Sequence, residues 1–155
     1  MARLPWRRGG AGRAPELTGV WARAVATSST VQRRTVALGT PVGEAGALLV
    51  RAVAAGAAAR VGVDALCTEG TARWPDADLQ VPSDALGRAC HDRVRALVAA
   101  QRAVLHRATL LTMPADPAGQ AVLLAGLRRA VGDLEAVAPS TGATGRIRPG
   151  DPPVD

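Results

Sequence analysis

Apolar side chains recur along much of this chain at alternating spacings of four and three, the rhythm of a helix that buries one stripe. Leu17, Trp21, Ala24, Ser28, Val31, Thr35 and Leu38 follow it, which predicts a helix over about 15–38. Gly39 suits a left-handed stop, Thr40 a cap and Pro41 a first turn, so a second helix is expected almost at once. Its stripe is Ala45, Leu49, Ala52, Gly56, Ala59, Val63 and Leu66, giving a helix over about 41–66. Each interior glycine there costs about 1 kcal/mol relative to alanine, a loss that close approach of a neighbouring helix would offset.

The rhythm fades between 67 and 82, where Gly70, Pro75, Pro82 and the acids Glu69, Asp76 and Asp78 predict a loop, with Trp74 tucked against the bundle. Ser83 is a good N-cap and Asp84 suits the positive end of a helix dipole. From there Cys90, Val94, Leu97, Gln101, Val104, Ala108 and Leu111 form a seam over about 83–112. Pro114 disfavours helix at the residue before it. Asp116-Pro117 then opens a fourth helix over about 116–138, with Leu124, Leu127, Val131, Leu134 and Ala138 as its seam and Pro139 as its end.

Two short-looped hairpins joined by a longer connection predict an all-α fold, an antiparallel four-helix bundle or two helical hairpins. The helical domain spans 14–138. Residues 1–13, rich in Arg and Gly, and residues 139–155, rich in Gly, Pro, Ser and Thr, are expected to be disordered tails. The facing seam residues Leu97, Gln101, Val104, Leu124, Leu127, Val131 and Leu134 form the expected helix-packing interface. Gln101 is polar in mid-seam. Two readings fit it: a buried register-fixing group, or the edge of a slightly rotated stripe.

Composition removes more functions than it suggests. All 19 basic residues are arginine, and Lys, Phe, Tyr and Asn are absent. The missing types use A/T-rich codons, as expected of a GC-rich bacterial genome, so the abundance of arginine is not itself a functional sign. Without lysine there is no Walker A lysine, no Schiff base to pyridoxal phosphate and no Ser-x-x-Lys acylation site. Without Phe or Tyr, an RRM-type aromatic platform is excluded. No cofactor is implied. The core is mostly Ala with Val and Leu, and apolar burial contributes roughly 25 cal/mol per Å². Small side chains bury little area, so modest stability aided by self-association is expected.

Candidate catalytic and metal-ligating residues are few. His91 and His106 are the only histidines, and Cys67 and Cys90 the only cysteines. None has zinc-ligand spacing. Cys90 and His91 point about 100° apart on a helix, and His106 lies about 24 Å along the axis from Cys90. A reduced, cytoplasmic setting is expected. The most apolar stretch, Gly46–Val63, is broken by Arg51 and Arg60, which argues against stable membrane insertion.

Charge supplies the remaining candidates. Residues 1–13 carry +4 of a net +6, through Arg3, Arg7, Arg8 and Arg13 without an acid. Arg88, Arg95 and Arg102 fall seven apart on the third helix, a basic stripe partly offset by Asp92. These seven are the candidate polyanion contacts. The pattern points to a non-enzymatic helical protein that works through protein–protein contacts, as an adaptor or a self-associating bundle, with no small-molecule substrate evident. The alternative is an accessory nucleic-acid or polyanion binder using the arginine arm.

Overall fold

The computed structural model describes residues 17–39, 41–75 and 82–138. The arm with Arg3, Arg7, Arg8 and Arg13, the expected cap Thr40, the loop acids Asp76 and Asp78, and the tail from 139 all lie outside the described residues. Four helices make up an all-α four-helix bundle: α1 (Gly19–Ala37), α2 (Glu44–Arg73), α3 (Ala85–Leu110) and α4 (Pro117–Val137).

Cross-helix contacts fix the topology. Trp21 lies against Gly70 and Gln32 against Gly56, so α1 and α2 are antiparallel. Cys90 reaches the Leu66 carbonyl and Gln101 the Gly56 carbonyl, so α3 is antiparallel to α2. Arg51 pairs with Glu135 and Arg128 with Glu44, so α4 runs parallel to α2. Consecutive helices therefore alternate up and down. The cross-section is a rhombus: α2 and α3 meet across its short diagonal, each touches both other helices, and α1 and α4 do not meet.

The predicted stripes face inward. Trp21, Val63, Val94, Leu97, Val104, Leu127, Val131 and Leu134 are buried, and Ser28, Thr35 and Gln101 are buried with them. Gln101 sits in the seam. Its Oε1 accepts from Ser28 Oγ at 2.8 Å and its Nε2 donates to the Gly56 carbonyl at 3.1 Å. A second glutamine, Gln32, donates to the Val53 carbonyl at 2.9 Å. One polar layer thus ties α1, α2 and α3 together, and partners of this kind are what make a buried amide tolerable.

The boundaries differ from the sequence reading in four places, the first being α1, expected from about residue 15 but beginning at Gly19 after the extended Thr18. The helix expected from Pro41 begins at Glu44, because Gly43 takes φ +82°, a left-handed value that interrupts any helix running through it. The loop expected over 67–82 is helical as far as Arg73, and α2 is continuous for 30 residues. Cys67, Gly70 and Thr71 carry the buried stripe two turns further, and at Gly70 the Trp21 indole occupies the space of a side chain. The third helix is capped by Asp84 rather than Ser83. Its Oδ1 accepts from Gly87 N–H at 2.7 Å, and its Oδ2 accepts from the Trp74 indole N–H at 2.8 Å.

Two other local expectations hold. Gly39 has φ +77° after α1, and Asp116 caps α4 by accepting from Gly119 N–H at 2.6 Å with Pro117 in the first turn. By length and composition α2 is also apolar enough to cross a membrane, and half of that apolar window is buried against the other helices.

Candidate anion-binding furrow

Charge is not spread evenly over the bundle. α1 carries Arg23, Arg33 and Arg34 and no carboxylate, and α3 carries five arginines against the single Asp92. On α2 three arginines face three carboxylates, and on α4 two face two. Four ion pairs join described residues, and all lie within or between α2 and α4: Arg51–Glu135 at 2.7 Å, Arg73–Glu69 at 3.2 Å, Arg60–Asp64 at 4.0 Å, and Arg128–Glu44. The balanced helices consume their own charge. The unbalanced pair presents eight arginines against one carboxylate.

Those two helices run parallel, since Trp21 lies beside His91 and Ser28 beside Gln101. Between them is an open furrow of about 530 Å³. Val20, Ala24, Val94 and Val98 give it an apolar floor, Arg23, Arg95 and Arg102 line it, and no carboxylate among the described residues does. Arg102 also borders the next hollow along the same pair of helices, where Arg34 joins it. Arg95 and Arg102 make no ion pair with any described residue.

One end of the furrow is aromatic. Trp21 is fully buried, its ring centroid 6.3 Å from that of Trp74 and 6.1 Å, edge to face, from that of His91. The Trp21 Nε1 and His91 Nδ1 atoms are buried without a hydrogen-bond partner. Position 70 must be glycine for the indole to lie flat on α2, since a Cβ there would stand 2.7 Å from the ring.

The structure divides the candidate contacts. Arg95 and Arg102 line the furrow, but Arg88 does not: its guanidinium turns back to the Ser83 carbonyl at the start of its own helix. Seven-residue spacing puts all three on one stripe, and the backbone oxygen captures the first. The seam residues Leu97, Val104, Leu127, Val131 and Leu134 are buried within a single chain, and Leu124 packs partly buried beside them. Sequence reasoning missed Arg23 and Trp21 as furrow residues, and Arg34 in the hollow beside it. The available signal was the absence of any acid from α1.

The thiols offer little reactivity. Burial, with smaller contributions from Cys90 and Asp64, pushes the Cys67 thiol up to about 12. Burial also raises Cys90, whose Sγ–H points to the Leu66 carbonyl at 3.7 Å. No group of three His, Cys, Asp or Glu side chains converges among the described residues. Comparison with family models, curated proteins and solved structures finds no match.

Proposed function

We propose that the protein is a non-enzymatic, cytoplasmic helical module that works through protein contacts, docking an acidic, amphipathic segment of a partner along the α1–α3 furrow. The observation that carries this reading is the segregation of charge: arginines line a groove with an apolar floor and no carboxylate among the described residues, while the ion pairs among those residues lie on the other two helices. Such a groove suits a segment that offers carboxylates to the rims and small apolar side chains to the floor. Complementary charge of this kind sets specificity and association rate.

A nucleic-acid partner is the second reading, favoured by the eight arginines of α1 and α3. Trp21 is fully buried, so bases have no exposed furrow aromatic on which to stack. Self-association is the other form of protein contact the fold offers, because Val50 and Val61 are exposed along the outer face of α2.

The test titrates full-length protein into a labelled acidic amphipathic peptide and, separately, a labelled single-stranded oligonucleotide of equal charge. The peptide should bind, lose affinity between about 50 and 200 mM salt as screening shortens, and be released by the pair Arg95→Glu and Arg102→Glu with the helical melt unchanged. Preference for the oligonucleotide would favour the second reading. Binding of neither, or binding indifferent to the charge reversal, refutes the proposal. Light scattering over a concentration series reads self-association directly.

A further inference from the structure

The aromatic end of the furrow has properties that a polymer-docking groove does not require. The volume of the whole furrow, about 530 Å³, falls within the range typical of small-molecule pockets. The apolar floor is continuous from Val20 and Ala24 on α1 to Val94 and Val98 on α3, and Arg95 and Arg102 flank it one and about three helical turns beyond His91. The Trp21 indole, fully buried in the wall, has an unpaired N–H, and the adjacent His91 buries an unpaired Nδ1. Buried polar atoms are rarely left without partners. The Trp21 N–H is a buried donor without an acceptor, in the wall of a hollow lined by arginines and by no carboxylate among the described residues, and an acceptor that carries negative charge suits that lining.

We infer that the furrow is a binding site for a small amphipathic carboxylate, with its hydrocarbon body on the Val20–Ala24–Val94–Val98 floor and its head group held by Arg95 and Arg102. Guanidinium groups grip carboxylates through paired N–H donors, and an apolar body suits the valine and alanine floor, with the Thr27 hydroxyl also in the lining. Arg23 completes the basic lining from the α1 side. The site rests on the same furrow as the proposed partner docking but needs no macromolecule.

The experiment is calorimetric titration of the full chain with decanoate, decanol and decylammonium, which share a tail and differ in head group. Decanoate should bind, decanol should bind at least roughly tenfold more weakly, a step worth about 1.4 kcal/mol, and decylammonium should not bind. Arg95→Ala with Arg102→Ala should reduce decanoate affinity by a similar factor or more, while Arg129→Ala on α4 leaves it unchanged. Both furrow arginines are exposed, so a melt matching the parent protein excludes misfolding as the cause. Equal binding of decanoate and decylammonium, or decanoate binding that ignores Arg95 and Arg102, overturns the site. If the acidic peptide binds and decanoate does not, the carboxylate site is refuted and partner docking stands; the opposite pattern refutes docking and upholds the site.

Discussion

Replacing Gly70 by alanine should weaken the bundle, although alanine is ordinarily the better helix former. A Cβ at this position would lie 2.7 Å from Trp21 Cε2 and 2.8 Å from Cδ2 and Cζ2. Favourable carbon–carbon contact begins at about 3.5 Å, so the indole or the helix must move by most of an ångström. Trp21 is fully buried, with Trp74 and His91 ranged around it, which leaves the furrow side as its exit. Overpacking of this kind costs about 1–3 kcal/mol, against a helix-propensity gain of up to about 1 kcal/mol. Gly132→Ala on α4 is the matched control, because it is exposed and a Cβ there would meet nothing within 4 Å. The propensity gain is broadly common to both variants, so their difference isolates the clash at about 1–3 kcal/mol. Urea unfolding followed by far-UV circular dichroism measures that difference, and near-UV dichroism reports the displaced indole. A Gly70→Ala protein as stable as Gly132→Ala would refute the packing argument.

Three further outcomes follow from the interior and the caps. Gln101→Leu leaves the buried Ser28 hydroxyl without its acceptor and removes the second hydrogen bond to the Gly56 carbonyl, and should cost about 1–3 kcal/mol, while adding Ser28→Ala should recover part of that loss in a double-mutant cycle. Because the folded Cys67 thiol is raised to about 12, the stability it contributes is complete below the ordinary thiol range and lost as pH rises toward that value; Ellman's reagent at neutral pH should modify Cys90 well before Cys67, and early labelling of Cys67 would contradict its burial. Asp84 is held below the usual carboxylate range, first by the Gly87 N–H and then by the Trp74 indole, so its contribution is complete above the ordinary carboxylate pKa and disappears as pH falls through the depressed one. Asp84→Ala should therefore lower the melting temperature at neutral pH and flatten its decline in acid.

Most of the bundle was legible because its stripes are built from spacing alone. Trp21, Ser28, Val31 and Thr35 are buried where the four-three rhythm puts them, even though two of the four are polar. Gly70 was misleading for a physical reason: in isolation it reads as a helix breaker, and only the indole of a residue 49 positions earlier explains it. Gly43 and Gly39 show the converse, since both adopt positive φ, yet only Gly39 stood where a stop was expected. The furrow was harder still. Arg95 and Arg102 were visible as a stripe, but Arg23 and Arg34 join them only because α1 runs parallel to α3, a relation set by the Ser28–Gln101 and Trp21–His91 contacts. Charge placed at one turn of a helix says little until the helix beside it is known.

The rhombic arrangement has a thermodynamic consequence for that furrow. One wall comes from the first hairpin and the other from the second, so neither hairpin alone possesses the site. Any anion held there bridges the two halves of the molecule and binds only once they have docked. Occupancy must then reinforce assembly by linkage, about 2.7 kcal/mol at a ligand concentration one hundred times its dissociation constant. For a chain whose interior is mostly alanine and valine, an anion bound there would become part of what keeps the hairpins together.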